Sequence, residues 1–581
     1  MRYATKLILY DLVSNVYQTL KQTWDELISP GQLFEIKTEM IRGVPTRAYA
    51  LAPPSLGDVW VNSAGHGGKE YLIYGKERYT YSQAHEIVAS VANWLQSNGV
   101  TPGERVAIAM RNYPEWMLAY WATVSIGAVV VGMNSWWVAD EMKYGLNDSK
   151  PKILICDAER LQCFSQIRTE FEFVKLVSVR VPHDEYLEAT PWLEILEFGG
   201  ELPKVSIDPE DEACVFYTSG TTGRPKGAQL THRGCTNNIF NIAFANAVQP
   251  AALSRLRGVE STSSDSPPPV CALIATPLFH VTANNCVAQA TTLAGGKIIH
   301  MHKWDPAEAL DLIEKERVTA FSAVPLMTRE ILSHPDFKKR DTSSLATMGG
   351  GGAAMQPDLV HKVVEEADGA QPTTGYGMTE TCGIISAVSS VFFRDKAASV
   401  GPAMPTFEIK CVNEKGESLP AGETGELWVR GAPVIKGYLN REDATAETIT
   451  DGWLHTGDIV YLDEDGFIYL VDRAKDMVLR GGENVYCAEV ENALFSHSEV
   501  IECIAFSVPD ERLGEVVGAA IYMSEGSNSK ASELREHCGN LLATYKIPQY
   551  IWFVDEPLPK NANGKFMKRA VKEKLDIENA A

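Results

Sequence analysis

From Tyr217 to Gly227 the chain reads Tyr-Thr-Ser-Gly-Thr-Thr-Gly-Arg-Pro-Lys-Gly, and those residue types suit the binding of an oligophosphate. Gly220, Gly223 and Gly227 let backbone N–H groups turn toward an anion without interference from a Cβ. Thr218, Ser219, Thr221 and Thr222 add hydroxyl donors, and Lys226 adds positive charge. The G-x-x-x-x-G-K-[ST] phosphate loop does not fit, because Pro225 precedes the lysine and Gly227 stands where a magnesium-binding Ser or Thr is required. The same composition elsewhere would read as a surface linker. Here it follows Ala213-Cys214-Val215-Phe216, an apolar run of strand type, so the loop is held by a buried strand.

Further segments carry groups of matching chemistry. In chain order they are Pro277-Leu278-Phe279-His280, the glycine run in Met348–Met355, Gly375-Tyr376-Gly377-Met378-Thr379-Glu380, His455-Thr456-Gly457-Asp458, Asp472-Arg473-Ala474-Lys475-Asp476 leading into Arg480-Gly481-Gly482-Glu483-Asn484, and Pro559-Lys560-Asn561-Ala562-Asn563-Gly564-Lys565. Each has an ordinary reading. Glu380 could be a helix N-terminal acid, Asp458 a turn residue, Arg473 a solvated strand-end charge, and His280 a packed histidine after a strand. Lys565 shares its stretch with Lys560, Lys568 and Arg569, as in a solvated basic tail.

Taken in this order with the phosphate loop, the segments resemble the adenylate-forming superfamily of acyl-CoA synthetases, adenylation domains and luciferases, from about residue 50 to residue 570. The closest aspect is that of a carboxylate–CoA ligase. The resemblance implies attack of a carboxylate on the α-phosphorus of ATP, giving acyl-AMP and pyrophosphate, and then displacement of AMP by the thiol of CoA. It implies Mg²⁺ on Glu380, with Thr218 a companion, and the nucleotide among Thr218, Ser219, Gly220, Thr221, Thr222, Gly223, Lys226, Gly351, Gly352, Ala353, Tyr376, Gly377, Met378 and Thr379. Asp458 would take the ribose hydroxyls, backed by Arg473. Lys565 would touch both attacking carboxylate and phosphate, delivered by a moving lid. Lys475 matches the hinge, and Arg480, Gly481 and Gly482 would pass the pantetheine arm. His280, Asn284, Gly349 and Gly350 would border the acyl pocket, with the glycine run leaving space beside it. Asn284 occupies the place of a gating tryptophan in some long-chain relatives, which speaks against long-chain acids. Cys487 stands where many relatives have proline. Two rivals stay open: transfer of the acyl group to the phosphopantetheine of a carrier protein, and a catalytically inactive nucleotide-binding regulator.

The elements that must position these groups follow from composition and pattern. A chain of 581 residues, 45% hydrophobic, exceeds what one core sustains, so at least two domains are expected. The net charge of −22 argues against nucleic acid or an anionic membrane as partner, and any anionic ligand must be met by locally placed cations. The eleven cysteines form no C-x-x-C pair, fitting neither a disulfide framework nor a zinc site. His300-Met301-His302 reads as strand-end packing, and no structural metal is expected. Met117 to Ala139 is uncharged and long enough to cross a bilayer, yet Pro114-Glu115-Trp116, Gly127 and Val129-Val130-Val131 divide it into a buried helix and a buried strand. Ile8, Leu12, Val13, Val16, Leu20 and Trp24 share a helical face laid on the core. Neither a secretory h-region nor a C-terminal peroxisomal address is present, so the expected setting is cytoplasmic. A homodimer is left open.

From about Tyr71 to Val400, helical patterns such as Ser82 to Asn98 alternate with short apolar runs at Arg105 to Met110, Lys152 to Cys156 and Lys297 to His300, which predicts βαβ units and parallel sheets. Ser254 to Pro269 reads as an exposed insertion. After Gly401, short strands such as Gly425 to Gly431 and Phe467 to Val471 predict a β-rich subdomain. The last hundred residues hold helical stretches at Ala488 to Phe495 and Lys530 to Leu542 and strands at Val500 to Val508, Glu515 to Met523 and Tyr550 to Phe553. The fold class is therefore α/β: a large domain over 1–472 with parallel sheets and the β-rich subdomain, a hinge at 473–476, and a small mobile α+β domain over 477–581.

Overall fold

In the computed structural model the described residues are 16–182, 188–218, 224–258, 269–473, 476–480, 483–527, 529–561, 564–576 and 579–581. Alternation along the central strands explains how two sheets share one interior. Val106 and Ile108 of Arg105–Ala109 pack into the same apolar cluster as Leu72, Ala272 and Ile274. Their neighbours Ala107 and Ala109, and Ile73, Cys271 and Leu273, pack into two other clusters on the outer faces. Strands apolar on both faces belong to sheets covered on both sides. Between the two sheets lies the helix Pro114–Ser125, buried at every position. Trp60, Trp116 and Trp121 are fully buried there, each stabilising the sandwich by roughly 3 kcal/mol through area removed from water.

Among the described residues, one sheet of eight strands runs Gly437–Tyr438, Lys226–Thr231, Glu212–Thr218, Val129–Gly132, Arg105–Ala109, Ile153–Asp157, Lys175–Val179 and Thr190–Pro191 from edge to edge. The second runs Gly383–Ser389, Gln371–Met378, Thr347–Gly351, Ala320–Ser322, Cys271–Ile274, Lys297–His300, Glu70–Tyr74 and Glu77–Thr80. From Glu212–Thr218 to Lys175–Val179 in the first sheet and from Gln371–Met378 to Glu70–Tyr74 in the second, the pairings are parallel, while Lys226–Thr231 runs antiparallel to Glu212–Thr218, so the loops leaving the carboxyl ends of the parallel strands converge, where ligands bind in open α/β sheets. A β-rich sheet follows, with Trp453–Leu462 between Gly425–Gly431 and Phe467–Arg473. The last sheet has Gly514–Met523 at its centre, flanked by Val500–Asp510, Tyr550–Val554 and Val478–Arg480. Helices Cys487–Phe495 and Ala531–Gly539 pack on it around their own apolar cluster.

The expected α/β class is what is found, and the uncharged run after Met117 is indeed helix then strand. Among the described residues no helix is long and apolar enough to cross a membrane. Residues 16–27 are helical, with Leu20 buried and Trp24 edge-on to Phe244 at 4.6 Å; Ile8, Leu12 and Val13 lie outside the described residues. The insertion expected from Ser254 begins later, because the helix His232–Leu256 carries past it with Arg255 in its last turn. Residues 259–268 lie outside the described residues.

The glycine run is crowded by backbone. A Cβ on Gly349 would stand 1.9 Å from the Thr373 carbonyl oxygen, and one on Gly350 would stand 2.1 Å from that of Ala323. Both residues hold positive φ, 149° and 143°. Neighbouring backbone leaves no room for a side chain at either position. Gly350→Ala is accordingly expected to lose about 3 kcal/mol or more, seen as a lower melting temperature and poor soluble yield. A variant melting like the parent but with a changed acid preference would return the glycine to the pocket.

Candidate active site

Cross-strand register builds the centre of the site. Asp458 lies directly opposite Arg473 in the antiparallel pair of Trp453–Leu462 and Phe467–Arg473. The Arg473 Nε meets Asp458 Oδ1 at 2.9 Å, and the Tyr376 hydroxyl donates to Oδ2 at 2.6 Å. Asp458 is therefore a buried mid-strand carboxylate rather than a turn residue. Thr456 orients it, its hydroxyl accepting from the Asp458 N–H and donating to the Leu427 carbonyl. Tyr376 comes from the other large sheet, on Gln371–Met378, so one carboxylate ties the β-rich sheet to the parallel one.

Glu380 sits in the single turn Thr379–Thr381 that follows this strand, and it is buried. It is not a helix N-terminal acid. The Tyr438 hydroxyl donates to Glu380 Oε1 at 2.7 Å, and the Lys226 ammonium lies 4.6 Å from the centre of the Tyr438 ring. The lysine of the phosphate loop thus stands one tyrosine ring away from the acid. Thr218 closes Glu212–Thr218, is paired in register with Lys226, and its hydroxyl donates to the Lys226 carbonyl at 3.4 Å. Ser219, Gly220, Thr221, Thr222 and Gly223 lie outside the described residues.

Lys565 reaches this group from the small α+β unit. Its turn is made by sequence: Asn561 Oδ1 accepts the Lys565 N–H at 3.0 Å, the Asn561 N–H donates to the Lys565 carbonyl at 2.8 Å, and Gly564 takes the left-handed φ of 72°. Neighbouring cations are engaged elsewhere, Lys560 with Glu502 at 2.6 Å, Lys568 with Glu491 at 2.8 Å and Arg569 with Glu573 at 2.8 Å. Lys565 differs from them. Its side chain keeps accessible surface in an open cleft while protein crowds it on most sides. That desolvation, with the Arg473 guanidinium nearby, lowers its pKa, and Asp458 and Glu380 oppose the shift. His280 stands near as well: desolvation first, then the Lys565 ammonium, pushes its pKa down to about 4, so the imidazole is neutral at physiological pH. Gly564 also meets the Val324 side chain, where a Cβ would lie 3.0 Å away, so the turn is seated against the large sheet.

Gly351 ends Thr347–Gly351 with Gly352 just after it, Gly377 and Met378 end Gln371–Met378 with Thr379 just after, and two of the glycines have backbone causes. A Cβ on Gly351 would meet the Gly375 carbonyl at 2.6 Å, and one on Gly377 that of Gly383 at 1.9 Å. Ala353 follows Gly352, and Gly352 has φ 86°. Arg480 is not part of the cluster, standing opposite Gly514 in the last sheet. Lys475, Gly481 and Gly482 lie outside the described residues. Asn284 is fully buried one turn beyond His280, its N–H donating to the His280 carbonyl at 3.0 Å.

Sequence reading missed Tyr438 and Gln289. Tyr438 sits in a two-residue strand with no periodicity to mark it, and Gln289 ends an apolar stretch that reads as core. A single-residue signal at Cys487 was undervalued. Its N–H donates to the carboxylate of Asp472, a bond that proline could not make. Burial raises the pKa of Asp472 to about 6, and the bond joins the end of the β-rich sheet to the first turn of Cys487–Phe495.

Residues 59–439 match the family model of the AMP-binding enzyme, and residues 489–565 match that of the AMP-binding enzyme C-terminal domain. The chain belongs to the AMP-binding enzyme family. A feruloyl-CoA synthase from an Amycolatopsis species is 36% identical over 504 residues, covering 86% of this chain and 95% of that protein. A long-chain-fatty-acid–CoA ligase of Bacillus subtilis is 30% identical, with 87% and 91% covered. Among solved structures, the o-succinylbenzoate CoA synthetase MenE of Bacillus subtilis, in complex with its acyl-adenylate intermediate, is 29% identical with a TM-score of 0.73, covering 89% of this chain and 98% of that one. The expected place among AMP-forming acid–CoA ligases agrees with these relatives.

Cys487→Pro tests the extra tie of this chain. Loss of a hydrogen bond to a charged group costs about 1.5–3 kcal/mol, and the bond belongs to the pose that brings Lys565 to Asp458. Acid-dependent pyrophosphate exchange is expected to fall at least about fivefold, with thioester formation from supplied acyl-AMP changed less. Equal losses in both steps would show a general effect on folding.

Proposed function

We propose that Lys565, Glu380, Asp458 and Arg473 carry the first half-reaction of this AMP-forming acid–CoA ligase. The observation that supports this most is the convergence of a lysine from residues 477–581 with carboxylates from two other sheets. In the first step an oxygen of the substrate carboxylate attacks the α-phosphorus, and the bond to the bridging oxygen breaks as pyrophosphate leaves. Lys565 offsets the charge of two approaching anions. Asp458 accepts from the ribose hydroxyls in place of Tyr376 or beside it, with Arg473 holding its other oxygen. In the second step the CoA sulfur attacks the acyl carbon, the carbon–oxygen bond to AMP breaks, and the thiol proton passes to solvent. A neutral His280 orients the acid without adding charge.

Mg²⁺ belongs to this reading. Among the described residues no three His, Cys, Asp or Glu side chains are grouped to hold a metal by themselves. One buried carboxylate, Glu380, with the Thr218 hydroxyl nearby instead fits an ion carried on substrate phosphates. Bound there it would neutralise phosphate charge, while Tyr438 fixes the carboxylate that receives it. The chain divides, in the same reading, into 1–472 and 477–581 about a hinge at 473–476 that includes Lys475, and the two separate family matches support that division. Swinging about it would bring Arg480, Gly481 and Gly482 to the cleft for the second step. A cytoplasmic setting suits the eleven free thiols.

Lys565→Ala is expected to lower acid-dependent pyrophosphate exchange by roughly 10²–10³-fold, while thioester formation from supplied acyl-AMP stays within a few fold of the parent. Equal loss in both assays would remove Lys565 from this role. Supplying CoA against a phosphopantetheine-loaded carrier protein separates the ligase from a carrier-loading enzyme.

The acid itself is read from a polar row beneath His280. Gln289 Nε2 donates to the Tyr120 hydroxyl at 2.7 Å and to Asn284 Oδ1 at 2.8 Å, while Asn284 Nδ2 and Gln289 Oε1, both fully buried, have no partner. The row lies on the π-helical turn Asn284–Ala288, a geometry frequent at functional sites. A polymethylene tail would leave a donor and an acceptor dry at about 1–3 kcal/mol each. A hydroxyl on the acid answers both. The favoured substrate is therefore a compact acid with a distal hydroxyl, in line with the feruloyl-CoA synthase resemblance rather than the long-chain one. Hydroxylated arylpropenoates are expected to exceed their unsubstituted parents and C12–C16 acids by about tenfold or more in kcat/KM, with Asn284→Leu narrowing the gap. Indifference to the hydroxyl would overturn this choice of acid.

A further inference from the structure

One acid of the small unit stands where packing alone would put an apolar side chain. In Val500–Asp510, Ile504, Phe506 and Val508 face one way and share an apolar cluster with Trp552, Leu558 and Val571. Glu502 continues that row by alternation, and it is buried, 4% exposed. The register against Gly514–Met523 slips here: Val500 stands opposite Met523 and Glu502 opposite Tyr522, with Ile501 between them unpaired. Val500 therefore packs with Cys503 in the cluster on the other face, and the acid is left on the face that carries the end of the chain. An extra residue of this kind re-aims a side chain.

Both oxygens of Glu502 go to the segment that leads into Lys565. Oε1 takes the Lys560 ammonium at 2.6 Å, and Oε2 accepts the Leu558 N–H at 2.8 Å. Lys560 in turn bridges to Phe566 in antiparallel fashion, its ammonium 5.5 Å from the centre of that ring, and the Met567 N–H donates to the Pro559 carbonyl at 2.9 Å. The turn holding Lys565 is thus closed at its base, and the base is fastened to the sheet by one carboxylate. A buried ion pair is a weak source of stability, because desolvation of two charges offsets most of their attraction and apolar side chains of the same volume often serve as well. What such a pair fixes is position. For an ammonium that must meet two reacting anions, a displacement of about 1 Å can cost about 100-fold in rate.

We propose that Glu502 is a positioning residue for the first half-reaction: through Lys560 it sets the turn 561–565 and hence the place of the Lys565 ammonium. The proposal rests on the reading of Lys565 as the cation of that step. Glu502 lies inside the small unit and acts only through the turn, so its effect must vanish where Lys565 is absent.

The test compares acid-dependent pyrophosphate exchange with thioester formation from supplied acyl-AMP in the full-length enzyme. Glu502→Gln keeps the volume and an acceptor for the Leu558 N–H while removing the charge. It is expected to lower kcat for exchange about tenfold, with KM for ATP and thioester formation within about twofold of the parent. Lys560→Met, at the half-buried end of the same pair, is expected to give the same pattern, an arm that does not depend on Glu502→Gln folding. The deciding arm combines Glu502→Gln with Lys565→Ala, where exchange is expected to fall no further than with Lys565→Ala alone. Parent-like exchange in both single variants, equal loss in the two half-reactions, or a further fall of about threefold or more in the combined variant would each overturn the proposal while leaving Lys565 in its role. Parent-like exchange in Lys565→Ala would remove the reading of Lys565 and the proposal with it.

Discussion

Two anions must meet for this chemistry to begin, and the cation that offsets their repulsion is carried on a turn almost at the end of the chain. Neither large sheet supplies it. The sheets supply fixed acids, Asp458 and Glu380, which are useful only if countered: Asp458 by Arg473 across the strand pair, Glu380 by hydrogen bonding to Tyr438. Lys565 completes the set from outside. Its partly desolvated ammonium pays an electrostatic cost that Arg473 increases and the two acids reduce, so its placement depends on the acids remaining ionised. The site is thus held by opposed charges drawn from distant parts of the chain.

Rigidity on the large side contrasts with this. The strands Ala320–Ser322, Thr347–Gly351 and Gln371–Met378 approach so closely that glycine is required at 349, 350 and 351. A backbone packed that tightly does not adjust to a ligand. Tyr376 and the turn holding Glu380 leave the last of these strands, so both side chains inherit fixed positions. Asn284 and Gln289, beyond His280, are spaced instead by the π-helical turn and joined by a hydrogen bond of 2.8 Å.

Much of this was legible in the residues. The alternation of helical and apolar runs announced the parallel sheets, and boundaries such as Lys297–His300 and Gly425–Gly431 came out unchanged. Asp458 and Arg473 were legible as partners only through the resemblance, and the register of two antiparallel strands shows how residues fifteen apart in sequence stand face to face. The glycine run was legible as a requirement, but the neighbouring carbonyls that impose it were not, since sequence cannot separate a Cβ excluded by substrate from one excluded by backbone. Tyr438 gave no signal at all. Its contribution is one hydroxyl placed by a two-residue strand, and neither hydrophobic period nor turn chemistry marks such a residue.

The junction near residue 472 shows how small a departure can alter the balance between poses. Asp472 is the penultimate residue of Phe467–Arg473, and desolvation raises its pKa to about 6, so at neutral pH it is mostly ionised and in need of donors. It finds two on the backbone, the N–H of Arg473 and that of Cys487. With proline at 487 the second would be absent and the carboxylate would favour any rotation that returned it to water. With cysteine there, the same carboxylate anchors the first turn of Cys487–Phe495, and the Cys487 thiol donates in addition to the Asp476 carbonyl at 3.0 Å. The bond from Cys487 to Asp472 spans the stretch 473–476, while the thiol bond starts at Asp476 and lies beyond it. Because burial holds the Asp472 pKa at about 6, this arrangement takes up a proton before a solvated Asp472 would, and acid favours it even as the bond to Cys487 weakens.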